Sequence, residues 1–187
     1  YYQLMKFAGE NGVAAYGTIM YVNFIFIAIF LGYSIGSAPI ISFHYGAKND
    51  NELKNLFKKS ISLIGSWGIM LFVIAQLIAG PLAKLFVGYN ADLFLMTKHG
   101  FQIFCFAFLI NGFNIFGSSF FTALNNGLIS AAISFLRTLV FQLSVVLILP
   151  MILGINGIWI SVAIAELLTL CVTVTCLIRK RKVYHYI

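Results

Sequence analysis

The sequence predicts an all-α membrane protein that crosses the bilayer about five times. Of its 187 residues, 61% are hydrophobic and only 9% are charged, whereas soluble chains average about 45–50% apolar and about 25% charged residues. The mean hydropathy is +0.97. The apolar residues form long charge-free runs, and a helix needs about 20 such residues to cross the hydrocarbon core. A soluble enzyme, a disordered tail and a disulfide scaffold are therefore excluded.

Charge-free runs place the five helices in order along the chain. The first run covers residues 11–47 and the second covers residues 60–83. The third, between Lys98 and Arg137, is too long for one helix, so we divide it at the turn signal Asn125-Asn126-Gly127. The predicted spans are 13–43, 60–82, 100–124, 128–149 and 157–178. Strands of a barrel would alternate apolar and polar residues over about ten positions, so these unbroken runs favour helices.

Basic residues predict the orientation of the chain. Residues 48–59 and 179–182 carry four Lys or Arg each, which is eight of the twelve, and five spans place both clusters on the same side. Because Lys and Arg favour cytoplasmic loops, we expect a plasma-membrane protein with residues 179–187 as a basic cytoplasmic tail. Residues 1–12 are then an extracellular loop, which predicts a missing preceding span and a piece of a longer polytopic protein.

Two charged residues lie inside the predicted spans. Glu166 is the only carboxylate within an apolar span, and its position near the midplane costs about 2.5–3.5 kcal/mol on insertion scales. It is either a proton or cation site, a contact for a cationic substrate, or a helix-packing glutamate. Arg137 lies about 15 Å into the fourth span, where its long side chain can anchor the helix at the interface. The sequence leaves open a salt bridge between the two.

Polar residues recur at helical spacing within the spans. Asn111 and Asn114 share one face of the third helix with Ser118, and comparable stripes carry Asn23 on the first helix and Gln142 on the fourth. Lipid cannot satisfy these groups, so the stripes face either one another, as interhelical hydrogen bonds, or a hydrated cleft. The candidate cavity-lining residues are Glu166, Asn23, Asn111, Asn114 and Gln142.

Two further features of the sequence bear on function: a proline inside the first span, and the lack of catalytic or metal-binding motifs. Pro39 lies within the first span between Gly36 and Gly46, where a kink would let the helix bend. We find no phosphate-binding loop, no paired carboxylates and no metal-ligand spacing among the three histidines. We therefore predict no enzyme and no cofactor, and the absence of a broad basic face argues against a nucleic-acid partner.

Three segments resemble the multidrug and toxic compound extrusion (MATE) family. The first is GSAPIISFHYGAK at residues 36–48, which precedes a lysine-rich loop. The second is FFTALNNGLISAAISFLR at residues 120–137, and the third is LPMILGINGIWISVAIAELL at residues 149–168. In the third segment Gly154, Gly157, Trp159 and Glu166 fall where the family pattern expects them. The resemblance runs from about residue 12 to residue 178 in the family's order and spacing.

The resemblance implies most of one six-helix lobe of a twelve-helix transporter, since the chain is similar to helices eight to twelve. It further implies a proton- or sodium-coupled antiporter that exports amphipathic, often cationic drugs by alternating access. The partners would be the missing N-terminal lobe, the coupling cation, the drug and the bilayer. One departure concerns residues 100–124, which lack the acid that one branch carries there. The alternatives are a lipid-linked sugar flippase of the same superfamily and a non-transporting membrane scaffold or fragment.

Overall fold

The computed structural model describes all 187 residues and contains five long helices and no β-strand. They are α1 (Tyr2–Gly46), α2 (Asp50–Val87), α3 (Ala91–Ala123), α4 (Gly127–Leu153) and α5 (Ile155–Tyr184). All five are long and apolar enough to cross a membrane. The predicted all-α class and the number of spans are confirmed, and the helices extend beyond the spans predicted from charge-free runs.

Asparagines begin three of the helices. The Oδ1 atoms of Asn49, Asn90 and Asn126 each accept a backbone N–H from the first turn of α2, α3 and α4, respectively. These caps satisfy donors that have no partner within the helix. Asn125 adopts a left-handed conformation with φ of 60°, which closes the predicted turn at Asn125-Asn126-Gly127. The connections are short, so consecutive helices are antiparallel neighbours.

Both ends of the chain correct the sequence prediction. Residues 2–12, expected as a loop, are helical, with one break in the backbone at Gly9. Within this segment Gln3 and Leu4 are buried while Lys6 is exposed. Residues 179–184, expected in the tail, are the last turns of α5, since Lys and Arg are good helix formers. The chain leaves the helix at His185, and burial raises the pKa of Tyr186, whose hydroxyl donates to the Leu177 carbonyl at 2.6 Å. The side of the membrane that each end occupies stays a prediction.

α3 is the central helix and packs against the other four. Its buried phenylalanines recur at helical spacing, and Phe108 meets Phe26 of α1 edge-to-face with ring centroids 4.9 Å apart. Lipid tails are as apolar as these rings, so helix association depends on close packing rather than on exclusion of water. The aromatic core is therefore the main packing surface of the bundle.

A short 3₁₀ segment, Cys105–Leu109, interrupts α3. Gln76 of α2 inserts its amide there, and its Nε2 donates to the Gln102 carbonyl at 3.1 Å and approaches Cys105 Sγ at 3.0 Å. A side chain inserted into the helical ladder is one of the few causes of a local change in helix geometry. Gln76 thus links α2 to α3 at the point where α3 changes pitch.

The residues proposed as hinges in α1 lie in continuous helix, whereas Gly154, between α4 and α5, has a non-helical backbone. α1 continues through Gly36 and Pro39 and ends at Gly46, and its non-helical backbone is at Gly9 instead. Gly154, between α4 and α5, has φ of 59° and ψ of −139°, a region that is essentially restricted to glycine. This residue allows α4 and α5 to form a tight antiparallel hairpin. A hinge at Pro39 stays a prediction.

Candidate functional site

A buried ion pair joins α4 to α5. Arg137 donates to Glu166 Oε1 twice, from Nη2 at 2.7 Å and from Nε at 2.9 Å. It is the only salt bridge in the chain. The Glu166 side chain is 7% exposed and that of Arg137 is 25% exposed. The salt bridge that the sequence left open is therefore present, with the Arg137 guanidinium held by a carboxylate on the facing helix; interfacial anchoring of Arg137 stays a prediction.

Asn114 extends this pair to α3. Its Nδ2 donates to Glu166 Oε2 and to the Glu166 backbone carbonyl, both at 2.8 Å. Thr173 Oγ1 in turn donates to Asn114 Oδ1 at 3.1 Å. We call these four side chains the α3–α5 network. Each oxygen of the Glu166 carboxylate has a donor, so the network is internally satisfied and ties three helices together.

The local backbone of α4 is unusual where it carries Arg137. Residues Leu136–Phe141 form a π-helical turn, and such turns are rare and occur frequently at functional sites. An unpaired charge at this depth costs several kcal/mol, whereas the paired charges neutralise each other. Paired, the two side chains form a net-neutral group, and either partner alone would be costly in a membrane span.

A second set of hydrogen bonds joins α3 to α4 nearer the Asn125 turn. Ser118 Oγ lies 2.9 Å from Ser130 Oγ and 3.0 Å from Ser134 Oγ, and Thr122 Oγ1 donates to Ser130 Oγ at 2.7 Å. Ser118 on the third-helix stripe and Ser134 on the fourth helix thus face each other directly. Ser130 and Thr122 were absent from the predicted stripes, although their spacing from Ser134 and Ser118 on the same helices could have indicated them.

Gln142 lies apart from the network and lines a cavity of about 200 Å³ with Tyr16 and Ser161. Gln142 follows Arg137 by five residues and Ser161 precedes Glu166 by five. In an antiparallel pair these offsets place the cavity about 7.5 Å along the helices from the ion pair. The structure therefore provides a small cavity next to the network, lined mostly by apolar side chains with a few polar ones.

The remaining candidates are buried but are not brought to Glu166. Asn23 is 8% exposed, and the partner of its amide nitrogen is the sulfur of Met20 at 3.8 Å. Asn111 is 2% exposed, and its Oδ1 has no hydrogen-bond partner. Of the five predicted cavity-lining residues, Glu166 and Asn114 form one site with Arg137, and Gln142, Asn23 and Asn111 occupy three other places.

The contribution of Thr173 can be measured with a near-isosteric change. Thr173→Val leaves Asn114 Oδ1 without its donor, and we expect a loss of about 0.6 kcal/mol, with about 1.7 kcal/mol as the upper limit for intramembrane hydrogen bonds. Thermal unfolding followed by size-exclusion chromatography measures the change. Thr175→Val is the matched control, because Thr175 is exposed and bonds only to its own helix. Equal stability of the two variants would contradict a role for the Thr173 bond.

The sequence model of one protein family, MatE, matches residues 2–148. The chain belongs to the MatE family. This family consists of multi-pass membrane transporters, in agreement with the five apolar helices described above. No curated protein sequence matches the chain.

Solved MATE structures share the fold of this MatE chain. An outward-facing multidrug resistance MATE transporter of the MOP superfamily has a TM-score of 0.90 at 20% identity, covering 98% of this chain and 41% of its own. An inward-facing one has a TM-score of 0.89 at 19% identity, covering 97% and 42%. The Vibrio cholerae transporter VcmN in its bent form has a TM-score of 0.87 at 19% identity, covering 98% and 42%. The chain thus spans about two fifths of the length of these transporters and corresponds to one lobe.

Proposed function

We propose that the chain is the C-terminal lobe of a cation-coupled multidrug antiporter that works by alternating access. One observation carries the proposal: the same five-helix arrangement fits an outward-facing and an inward-facing MATE transporter equally well. A lobe whose internal geometry is the same in both states moves as a rigid body, which is how many transporters of this kind alternate. The α3–α5 network supports this rigidity, because it fastens three helices at mid-membrane depth.

The coupling cation, proton or sodium, is proposed to bind outside the α3–α5 network. Both carboxylate oxygens of Glu166 are already occupied by Arg137 and Asn114. A further cation at Glu166 would have to approach a side chain that is 7% exposed and already paired with the Arg137 charge, which disfavours binding there. Of the three readings that the sequence allows for Glu166, this geometry supports the helix-packing one.

The flippase alternative is less well supported by the charge distribution. A lipid-linked sugar carries a pyrophosphate, which calls for unpaired basic side chains in the cavity. Arg137 is the only Lys or Arg between Lys98 and Arg179, and Glu166 neutralises it. The interior therefore provides no free cation for such a head group, and we favour the cationic drugs that the family resemblance implies.

Efflux from reconstituted vesicles tests the proposal. The chain would be reconstituted alone, together with its N-terminal lobe, and as the full-length transporter, and release of a fluorescent lipophilic cation followed under a proton or sodium gradient. We expect gradient-dependent efflux when both lobes are present and none from either lobe alone. Efflux by this chain alone would contradict the half-transporter proposal, and movement of a lipid-linked pyrophosphate sugar in place of the cation would favour the flippase.

A further inference from the structure

Two cavities adjoin between α2 and α5, at the end of the bundle that carries residues 48–59. One, of about 350 Å³, is lined in part by Lys54 and Lys58. The other, of about 370 Å³, is lined almost entirely by apolar side chains, including Val174 of α5. Phe57 and Ile61 of α2 line both cavities. The two therefore form one continuous depression, the α2–α5 groove.

The walls of the groove change in chemistry along its length. On α2, Lys54, Lys58 and Ile61 follow at intervals of four and three residues, so they share one helical face. On α5, Leu170, Val174 and Ile178 follow at intervals of four on the apolar wall. Arg181 and Lys182 follow Ile178 by three and four residues, so they lie on the same face of α5, one turn further toward its end. The groove is thus basic at its mouth and apolar below it.

The length of the groove matches one leaflet of a bilayer. The α5 lining of the groove runs from Leu170 to Ile178, which corresponds to about 12 Å of helix, and Arg181 lies about one turn beyond it. The hydrocarbon core of a bilayer is about 30 Å thick. An acyl chain that starts at the basic mouth would therefore lie along the apolar wall and end near the bilayer midplane.

The basic mouth has no acidic partner within the chain. Lys54 and Lys58 are exposed, and the only salt bridge in the structure lies elsewhere, between Arg137 and Glu166. Lysines beside the membrane attract anionic lipid head groups. The charge of the mouth and the shape of the apolar wall therefore suit the same ligand, a lipid with a phosphate-bearing head group and a long acyl chain.

We propose that the α2–α5 groove is a binding site for an anionic phospholipid of the leaflet that meets residues 48–59. Lys54 and Lys58 bind the phosphate, and one acyl chain packs against Ile61, Val174 and Ile178. The proposal requires only that the chain is embedded in a membrane, so it does not depend on drug export.

Site-specific photocrosslinking in the full-length transporter tests this site. A photoreactive amino acid replaces Val174, the protein is placed in nanodiscs that contain phosphatidylglycerol and phosphatidylcholine in equal amounts, and the mass of the adduct identifies the neighbour. We expect adducts with phosphatidylglycerol in clear excess. The double variant Lys54→Gln/Lys58→Gln should lower that excess by about fivefold for each lysine, and higher ionic strength should lower it in the unmodified background.

Two controls separate the groove from the general membrane surface. Lys48→Gln/Lys59→Gln removes the same charge at the same end of the bundle from residues that do not line the groove, and should retain the excess. The photoreactive residue at Leu167, an exposed position of α5 outside the groove, should label both lipids equally. Adducts with polypeptide at position 174 would show that another protein segment covers the groove and would overturn the proposal. So would labelling without lipid preference, or a preference that survives both lysine loss and high salt.

Discussion

Neutralising either member of the Arg137–Glu166 pair is expected to destabilise the transporter, and neutralising both is expected to restore it. Glu166→Gln leaves the Arg137 guanidinium without its counter-ion, and Arg137→Gln leaves a carboxylate that is 7% exposed. Removing one partner of a buried pair costs about 3–5 kcal/mol, whereas replacing both by well-packed uncharged residues of similar volume is often neutral; two glutamines nearly keep the volume and can hydrogen-bond to each other. Since Arg137 is a quarter exposed, we expect about 3 kcal/mol for each single variant.

The double variant also distinguishes a packing glutamate from a cation site. If the pair only fastens α4 to α5, Arg137→Gln/Glu166→Gln should recover both thermal stability and drug efflux. If Glu166 itself bound the coupling cation, the double variant would be stable but would export nothing. Glu52→Gln and Lys59→Gln, at exposed positions of α2, remove the same charges without a buried partner and should leave both measurements unchanged.

Adding one methyl group at Gly112 is expected to loosen the contact between α1, α2 and α3. A Cβ there would lie 2.6 Å from the Phe30 ring and 2.9 Å from Ile64 Cγ2, and both side chains are buried. Overpacking of this kind costs about 1–3 kcal/mol, and the disturbance would fall next to Asn111 on α3. We expect Gly112→Ala to lower both the melting temperature and the yield of monodisperse protein.

Gly36→Ala is the matched control, because a Cβ at Gly36 meets nothing within 4 Å. Alanine is the better helix former by about 1 kcal/mol, so this variant should be as stable as the parent or more stable. If Gly112→Ala also gained stability, the three-helix contact would be looser than the structure indicates.

The fold could be predicted because the bilayer fixes the length and apolar character of each span. The contacts within the site could not, because they depend on how each helix is rotated about its axis. A span must be apolar over a fixed length, so the five helices and the turn at Asn125-Asn126-Gly127 can be read from one sequence. The helix at residues 2–8 was not predicted, because Lys6 and Glu10 interrupt the apolar sequence and the first charge-free run begins at residue 11. Charges alone also could not show that residues 179–184 continue α5.

The Arg137–Glu166 bond illustrates what a single sequence leaves undetermined. Its two residues are 29 positions apart, and their meeting depends on the rotation of α4 relative to α5. The hairpin at Gly154 and the π-helical turn at Leu136–Phe141 set that rotation. The sequence predicts the break near Gly154 but has no clear signal for the π-helical turn. The sequence places Asn114 on a polar face of its helix. That its partner is Glu166 follows only from the way α3 packs against α5.

The lengths of α1 and α2 have a mechanical consequence for the whole lobe. Residues 9–46 and Asp50–Val87 would each extend about 57 Å, while a bilayer with its head groups is about 40–45 Å thick. Even at the average tilt of about 20°, the hairpin would exceed the bilayer by roughly 10 Å, and its polar tip around Lys48 and Asn49 would carry part of that excess into water. If the lobe rocks as one body, the tip acts as the end of a lever and sweeps a wider arc than the mid-membrane residues. A spectroscopic label placed there would therefore report the rocking with large amplitude while leaving the interior untouched.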